Sequence, residues 1–456
     1  MAYNFLPCDR NQAYLLPPSL ADWLPQNHLA WFVLDVINHV DIQPFYAKYR
    51  ADGIGNTAFD PSMMACLLVY AYCTGERSSR RIEKYCQTDV AYKIVTANQL
   101  PDHSTISRFR KDNEANLKKL FLEVLRLCAE SGLVKLGNVS LDGTKMKANA
   151  SLAANRKLEH LEKEIAKMLS EAAAKDAEED KSYGKDNRGD ELPEDMRNHE
   201  DRMARLKACK ERLEREKAQA RQEQQKKLDE REEKQNRTGK KLRGRKPKSP
   251  DEAEDKEAKA NVTDPESRIM KTRKGYEQAF NAQAVATEDQ IIVAEDVTQQ
   301  ENDIQQLHPM IEQAESNRVH VGIEEKIGVG LADAGYCSED NFTKTPAGDV
   351  ELLVATQKNW KQRQAMRENP PVDGPPIANL PATELMERKL QTERGRELYK
   401  LRGQTIEPVF GQIKDVRGFR NFMRRGLDAC RSEWSLICAT HNLLKLWRSG
   451  KAVWIT

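Results

Sequence analysis

A long, highly charged segment divides the chain and constrains how the remainder can fold. Between Leu152 and about Val262 the sequence becomes rich in Lys, Glu, Ala, Arg and Gln and almost lacks aromatic residues. Its first apolar residues recur at alternating spacings of three and four, which is the seam of a coiled coil. These seam positions are Leu158, Leu161, Ile165, Met168 and Ala172.

A second helix is indicated further along the same segment. Met203, Leu206 and Leu213 keep a helical spacing, and two glycines and a proline between residues 184 and 193 mark a break ahead of them. We therefore predict a helical hairpin that ends in a disordered stretch. That stretch holds the basic run KKLRGRKPKSP at 240–250, which is either a solvated linker or a hook that enters AT-rich minor grooves.

The chain before this segment, up to about residue 135, has the pattern of helices and no convincing strand. In PDHSTISRFRK, at 101–111, Asp102 or Ser104 is placed to cap a helix. Its first turns suit DNA recognition, because small polar groups reach base edges while arginines hold phosphates. A capped surface helix has the same pattern. The residues concerned are Thr105, Ser107, Arg108 and Arg110.

Composition narrows the class of protein. With 456 residues the chain is too long for one ordinary domain, and its charged residues nearly cancel to a net charge of +2. The 9 cysteines are scattered without zinc spacing, which favours reduced thiols in a cytosolic protein. No stretch approaches the roughly 20 apolar residues of a membrane span, and the N-terminus lacks the pattern of a secretion signal.

Residues 262–447 have a mixed α/β pattern. Strands are predicted at AFNAQAVA, QIIVAEDVT, GVGLADAGY and VELLVAT, and helices at NDIQQLHPMIEQAE, SEDNFTK, 383–414 and SEWSLICATHNLLKLW. In the last helix, His441 falls in register with Trp434 and Trp447. It is therefore expected to be a satisfied helix residue and not a metal ligand.

Two aspartates follow apolar strand patterns. In GNVSLDGTKMKANAS, Val139 and Leu141 alternate with polar residues as in a half-buried strand. Asp142 then lies just before Gly143, at the rim of the sheet, although an Asp-Gly pair is also common in turns. In GVGLADAGY a buried strand runs directly into Asp333. Metal binding at a strand end explains such an acidic residue better than packing does.

A glutamate supplies a third carboxylate in GQTIEPVFGQIKDV. Thr405 can cap a helix whose first turn holds Glu407. Glu407, Phe410 and Lys414 fall at intervals of three and four, so they share one helix face. Because the helix dipole alone favours a glutamate near a helix start, Glu407 is significant only beside the two aspartates.

Together the three carboxylates suit phosphodiester chemistry. Two divalent ions held about 3.5 to 4 Å apart activate the nucleophile and stabilise the leaving oxygen. Mg²⁺ takes oxygen ligands, and a few carboxylates with the substrate phosphate suffice to hold it. Asp142, Asp333 and Glu407 are therefore predicted to be catalytic residues that bind two Mg²⁺ or Mn²⁺ ions.

The ordered series LDGTKMKANAS, TDPESRIMKTRKGYEQAFNAQ, LADAGYCSEDN, TIEPVFGQIK and GFRNFMRRGL resembles the DDE transposases of bacterial insertion sequences. The similarity is to the insertion-sequence-four superfamily, in the branch numbered eleven-eighty-two, and FDPSMMACLLVYAYCTG resembles that group's helical leader domain. The resemblance implies an RNase H-like mixed sheet of five strands flanked by helices. It sets Asp142 on the first strand, Asp333 after the fourth and Glu407 on a following helix.

The resemblance also implies an activity and partners. Such enzymes bind the terminal inverted repeats of their element in double-stranded DNA, hydrolyse a phosphodiester, and join the freed 3′-hydroxyl to target DNA. They act as homodimers or higher synaptic assemblies, here in a cytoplasmic, nucleoid-associated protein. The superfamily's tyrosine, arginine and lysine correspond to Tyr399, Arg402 and Lys414. Lys414 has the expected spacing from Glu407, whereas Arg402 lies one residue too far ahead.

Two further cationic segments are candidates for DNA binding. The segment 263–276 concentrates cations before a strand, as does a solvated basic loop. The segment 418–431 interleaves arginines with Phe419 and Phe422, which suits backbone contact and stacking on a splayed base. The DNA-binding candidates in these segments are Arg268, Arg273, Lys274, Arg420, Arg424 and Arg425.

These patterns predict an α/β protein with large all-α parts in three units. They are an N-terminal helical DNA-binding domain (1–135), an RNase H-like catalytic domain (136–151 with 262–447), and a charged hairpin insertion with a basic linker (152–261). Two other functions fit parts of the sequence. One is a transposase-derived DNA-binding protein without catalytic activity, and the other is a coiled-coil scaffold.

Overall fold

A computed structural model of the chain describes residues 19–49, 57–168, 170, 194–238, 249, 258–272, 275–357, 359–372 and 380–452. Helices precede the first strand: α1 (Leu29–His39), α2 (Gln43–Tyr46), α3 (Pro61–Cys73), α4 (Ser79–Thr88), α5 (Val90–Val95), α6 (His103–Asp112) and α7 (Glu114–Glu130).

Strands and helices then alternate. In chain order they are β1 (Asn138–Lys147), β2 (Asn155–Lys157), α8 (158–168), α9 (Glu194–Thr238), β3 (Lys259–Asn261), β4 (Arg268–Thr272), β5 (Gly275–Thr287), β6 (Ile292–Thr298), α10 (Leu307–His320), β7 (Val329–Ala332), α11 (Glu339–Thr343), β8 (Glu351–Val354), α12 (Asn359–Glu368), α13 (Ala382–Gln391), α14 (Glu393–Gly411) and α15 (Leu427–Ser449).

The N-terminal helices share one hydrophobic core with the sheet. Helix α3 is buried on almost every side, and it begins at Asp60, whose carboxylate accepts hydrogen bonds from the backbone N–H groups of Ser62 and Met63. Helix α15 packs against α3, α7 and β6, so this last helix joins the two parts. Burial of apolar side chains from both parts in one core fixes the leader helices on the sheet.

Among the described residues, the main sheet is mixed and has six strands in place of the five expected. Strand β1 pairs antiparallel with β5 and parallel with β7, which in turn pairs parallel with β8. Strands β4 and β6 both pair with β5, along its first and second halves respectively. The additional strand is β4, because Arg268–Thr272 folds back on β5 as a hairpin and is not a loop. The described chain is mostly helical around this sheet, an architecture compatible with an RNase H-like domain.

The strands that surround the first aspartate were predicted, but the end of β1 was not. Strand β1 continues to Lys147 because its second half pairs with β5, as far as the pair Lys147↔Ala279. Its pairing with β7 stops earlier, at Ser140↔Leu331. Asp142 is therefore not at the rim of the sheet. It lies in mid-strand, at the point where β1 and β7 part.

Helices α8 and α9 pack together through the predicted apolar positions. Leu161, Met168, Leu206 and Leu213 are buried in a small separate cluster. Charged contacts flank it, including Lys210 Nζ to Glu162 Oε1 at 3.3 Å. Ala172, the predicted break and the basic run 240–250 lie outside the described residues, apart from Ser249.

The helices that follow β8 begin elsewhere than predicted. The expected helix over 383–414 is two helices, α13 and α14. Helix α14 begins after Thr392, whose hydroxyl accepts from the Gly395 N–H. Thr405 therefore does not cap it, and Glu407 lies in its later turns and not in the first.

Every cysteine within the described residues is unpaired. None of their helices combines the length and hydropathy that a membrane crossing requires.

Candidate active site

The three predicted catalytic carboxylates converge on one guanidinium group. The Nη2 atom of Arg402 lies 2.7 Å from Asp142 Oδ2 and 3.9 Å from Asp333 Oδ2, and its Nη1 atom lies 3.4 Å from Glu407 Oε1. The Arg402 side chain is 3% exposed, whereas that of Glu407 is 48% exposed. The carboxylates therefore surround a buried positive charge at the floor of an open cleft.

The elements that carry these residues explain why they meet. Strands β1 and β7 run parallel, so a register of Ser140 with Leu331 brings Asp142 and Asp333 to the same level two residues later. Helix α14 packs on β1. Thr405 Oγ1 lies within hydrogen-bond distance of Ser140 Oγ and donates to the Arg402 carbonyl oxygen (3.1 Å).

Burial and nearby charges perturb the pKa of the Asp142 carboxyl group. Burial raises the pKa of the Asp142 carboxyl, and the nearby charges of Asp333 and Asp303 raise it further, whereas Arg402 lowers it. Burial disfavours a charged carboxylate unless a positive charge lies close by. Asp142 therefore depends on Arg402, or on a cation in the same place, to remain ionised.

The three carboxylates have the right chemistry to bind a hard divalent cation, but in their present positions they surround the guanidinium of Arg402 instead. All three groups offer carboxylate oxygens, the ligands that Mg²⁺ prefers. Within the described ranges, no three acidic, histidine or cysteine side chains are arranged to hold an ion as they stand. The guanidinium of Arg402 occupies the centre, so an ion would have to replace part of its contacts.

A single π-helical turn follows α14 and positions Lys414. It covers Gln412–Val416, and the Arg417 N–H donates to the Gln412 carbonyl oxygen (3.1 Å). Lys414 Nζ donates to the Lys145 carbonyl oxygen at 2.8 Å and to Thr144 Oγ1. The widened turn thus sets a cation over β1, three residues beyond Asp142. Such π turns are frequent at functional sites.

The carboxylates open into a cleft of about 1930 Å³ with a cationic lining. Of the predicted DNA-binding residues, Arg402, Lys414, Arg420 and Arg425 line it. Lys271, a cation of the predicted basic segment 263–276, lines it as well, and sequence reasoning did not single out two further cations of this lining, Lys145 and Lys147 on β1. Their burial and direction follow from strand pairing, which the sequence alone did not fix.

Other predicted DNA-binding residues are tied into the fold. Arg268 Nη2 lies 3.1 Å from Glu216 Oε1 on α9, and burial lowers the pKa of Arg268 to about 10. Tyr399 is 6% exposed and lies one helical turn before Arg402. Arg273 and Lys274 lie outside the described residues.

Adjacent basic residues in two of the predicted segments have different environments. On α6, Ser107 and Arg108 are exposed, but Arg110 is 7% exposed and its guanidinium lies 5.6 Å from the centre of the Tyr72 ring. Asp102 caps this helix, as one of the two predicted alternatives. Arg424 likewise points inward, to Glu114 on α7. Both guanidinium groups are turned into the protein, Arg110 against Tyr72 on α3 and Arg424 against Glu114 on α7, and not toward a surface where DNA would lie.

Two features of the site were missed from sequence. Asp303, in the loop after β6, accepts hydrogen bonds from the side chains of Asn281 (2.6 Å) and Gln283 (2.7 Å) on β5. Gly143 lies beneath these groups, so that a β-carbon built on it would be 2.3 Å from Gln283 Nε2. A lone aspartate in a loop and a glycine in a strand give no sequence signal of this convergence.

His441 is a structural residue, as predicted. It is 2% exposed, and its Nε2–H donates to the Gln290 carbonyl oxygen at 2.9 Å. Burial lowers the pKa of His441 to about 3, so the imidazole is neutral. Its environment differs from the prediction in one respect, because the contact is to a backbone carbonyl of the β5–β6 turn.

The mixed sheet, the converging carboxylates and the cationic cleft define a class of enzyme that acts on a polyanionic phosphodiester. Two protein-family models match the chain, and both describe transposase domains. A family described as Transposase domain (DUF772) matches residues 18–112, and one described as Transposase DDE domain matches residues 242–443. The chain therefore belongs to the DDE transposases of the insertion-sequence type. The second match includes Asp333 and Glu407, whereas Asp142 precedes it. No curated protein and no solved structure showed a significant match to the chain.

Proposed function

We propose that this chain is an active transposase that cleaves DNA at the terminal inverted repeats of its own element and joins the 3′-ends to target DNA. The observation that carries the proposal is the convergence of Asp142, Asp333 and Glu407 inside a cationic cleft. Surface acidic residues without a function would not be gathered around one buried arginine, because their mutual repulsion opposes it.

The same residues suit the chemistry of strand cleavage. Two Mg²⁺ or Mn²⁺ ions, held by the three carboxylates, would activate the attacking oxygen and stabilise the leaving one. Arg402 favours the ionised form of Asp142 and holds the three carboxylates close together before ions bind. Lys414, Arg420 and Arg425 line the cleft where a DNA backbone would lie, and lysine or arginine contacts of this kind hold phosphates.

DNA binding by the leader domain is a second part of the proposal. Ser107 and Arg108 are exposed on α6, which lies at the surface of the N-terminal helices. Arg110, Arg268 and Arg424 are left out of the proposed DNA contacts, because their side chains are engaged within the protein. The chain would assemble on two DNA ends as a homodimer or a higher synaptic assembly, and it would belong to branch eleven-eighty-two.

The test uses duplex DNA that carries the inverted repeats flanking the gene. We expect the wild-type chain with Mn²⁺ to nick this DNA at the repeat end. Asp142→Asn and Asp333→Asn should each lower the cleavage rate by about a hundredfold or more, because each removes a metal ligand worth several kcal/mol in the transition state. Their affinity for the same DNA should stay within about threefold of the wild-type value, since phosphate contacts dominate binding.

Different results would support the other functions. A wild-type chain that binds the repeat but never nicks it would indicate a DNA-binding protein derived from a transposase. Affinity that does not fall with added salt would remove DNA as the main partner, because cationic contacts to phosphates release counterions. A coiled-coil scaffold would lose its function when 152–261 is deleted, while no DNA binding would be found in the remainder.

A further inference from the structure

A fourth carboxylate, that of Asp303, lies beside the two aspartates of the site. A β-carbon built on Gly335 would lie 2.9 Å from Asp333 Oδ1 and 3.4 Å from Asp303 Oδ2, so the two carboxylates approach each other across this glycine. A β-carbon on Gly143 would lie 2.5 Å from Asp303 Oδ1. Asp303 therefore adjoins the residues that follow both Asp142 and Asp333.

The orientation of Asp303 is fixed from β5. The side-chain amides of Asn281 and Gln283, both fully buried, donate to Asp303 Oδ1, and Lys145 Nζ lies 3.6 Å from the same oxygen. Within the described part of the chain, the side-chain hydrogen bonds and the ion pair of Asp303 all involve Oδ1. The second oxygen, Oδ2, is consequently left on the side of Gly335 and Asp333.

A hydrogen-bond relay connects Asp303 back to Asp333. Gln283 donates to Asp303, and its own Oε1 accepts from the hydroxyl of Tyr336. Tyr336 is fully buried and ends the short helical turn that begins directly after Asp333. The amide of Gln283 therefore links the loop after β6 to the turn that carries Asp333.

An unsatisfied buried acceptor lies at the same place. Asn281 Oδ1 has no hydrogen-bond partner among the described residues and is inaccessible to solvent. It lies 3.0 Å from the β-carbon position of Gly143, on the side where Asp303 Oδ1 also lies. Buried polar atoms are almost always paired, so this atom points to a water or cation that completes the cluster.

We propose that Asp303 is a positioning residue for the divalent-ion site of Asp142 and Asp333, an inference that rests on the proposed function. Two carboxylates that face each other require positive charge between or beside them. Lys145 supplies part of it, and a bound ion would supply the rest. Amide-held carboxylates around a metal site orient its ligands, and their loss typically lowers metal affinity about 10–100-fold.

The experiment measures Mn²⁺ binding directly, by the electron paramagnetic resonance signal of free Mn²⁺, with the full-length chain. Asp303→Asn keeps an Oδ1 acceptor for both amides and removes only the charge. We expect its Kd for Mn²⁺ to rise about 10–100-fold, with DNA affinity and melting temperature close to those of the wild type. The Mn²⁺ concentration that half-saturates cleavage should rise in parallel.

Two variants accompany it. Tyr336→Phe removes only the hydroxyl of the relay and should weaken Mn²⁺ binding in the same direction, by less. Asp289→Asn is the matched control. Asp289 lies in the β5–β6 turn at the far end of β5, 3.7 Å from Lys135, and its loss should leave Mn²⁺ binding unchanged.

If Asp303→Asn binds Mn²⁺ as Asp289→Asn does, Asp303 has no role at the ion site. If Asp303→Asn loses DNA affinity, melting temperature and Mn²⁺ binding together, its role is structural and the inference is equally overturned. A wild-type chain that binds Mn²⁺ but leaves the repeat DNA intact would contradict the proposed function alone, because the Mn²⁺ comparison does not depend on cleavage.

Discussion

Arg402 Nη2 lies 2.7 Å from Asp142 Oδ2, and through this contact a buried helix residue holds the central carboxylate of the site. Arg402 and Glu407 are five residues apart, which sets them about 140° apart around α14. The long arginine side chain spans that angle, so one helix supplies both the buried cation and the half-exposed Glu407 carboxylate. Arg402 thereby occupies the position in which a metal ion would compensate the same charges.

If Arg402 compensates the same charges as a metal ion, its loss should be partly offset by added Mg²⁺. In EDTA, Arg402→Gln should lower the free energy of unfolding by about 3 kcal/mol, because it leaves an uncompensated charge cluster. Added Mg²⁺ should increase the free energy of unfolding more in this variant than in the wild type, since the ion and the guanidinium compensate the charge of the same carboxylates. Denaturant unfolding with and without Mg²⁺ measures both effects.

The matched control for Arg402 lies on the same helix. Arg394 pairs with Glu351 at 2.7 Å but is 63% exposed, so Arg394→Gln should change stability little and give no special response to Mg²⁺. An equal Mg²⁺ response of the two variants would contradict the view that Arg402 stands in for a cation.

Glu407 can be replaced with little effect on packing, so its role in cleavage can be tested separately from its role in stability. Because it is half-exposed, Glu407→Gln should leave stability and DNA binding near the wild-type values. Cleavage should nevertheless fall by about a hundredfold or more if Glu407 holds an ion. Single-turnover cleavage measures this, with Glu397→Gln as the control, an exposed glutamate on the same helix. Equal cleavage by the two variants would remove Glu407 from the catalytic set.

Two consecutive arginines should respond in opposite ways. Arg425 is exposed and lines the cleft, so Arg425→Ala should weaken DNA binding and reduce the salt dependence of log K by about one unit. Arg424 pairs with Glu114 and is 14% exposed, so Arg424→Ala should lower the free energy of unfolding by about 1–3 kcal/mol. Salt titrations of binding and denaturant unfolding distinguish them. Reversed effects would mean that this surface is not the DNA-binding face.

Some residues of the candidate site could be predicted from the sequence, and others could not. Asp333 was predicted because a buried strand pattern that runs into an acidic residue is informative by itself. Asp142 was predicted only together with the other carboxylates, because an Asp-Gly pair is also common in turns. The sequence could not predict that the Arg424 side chain points inward and that of Arg425 is exposed, because the burial of Arg424 depends on where α7 packs. Asp303 was missed for a related reason. Its partners, Asn281 and Gln283, lie on another strand, and only the pairing of β5 with β1 brings them over Gly143.

The length of β1 shows the same limit. The Asp-Gly step suggested the end of the strand, yet pairing with β5 carries β1 on to Lys147. Local sequence indicates where a strand begins to be buried, whereas its end depends on how long its partner continues. The spacing of Arg402 from Glu407, one residue more than the resemblance implied, is likewise compatible with the site because the arginine is long enough to reach.

The last prediction concerns a buried glutamate outside the site. Glu295 on β6 is 2% exposed, and Ser435 Oγ donates to its Oε1 at 2.6 Å, while its Oε2 has no partner in the described ranges. Burial raises the pKa of Glu295 to about 8 from an ordinary value of 4.5. The folded state therefore favours the protonated form. Its stabilising effect is complete below about pH 4.5 and is lost as the pH rises through about 8.

Glu295→Gln should remove this pH dependence, because the neutral amide resembles the protonated acid in shape. We expect the wild type to lose stability between pH 5 and pH 9, on the order of a few kcal/mol more than Glu295→Gln loses. Denaturant unfolding at the two pH values measures the difference. The exposed residue Glu312 provides the control, since Glu312→Gln should follow the wild-type pH profile. Parallel profiles for the wild type and Glu295→Gln would mean that Glu295 ionises normally in the folded protein, with water reaching its carboxylate between β6 and α15.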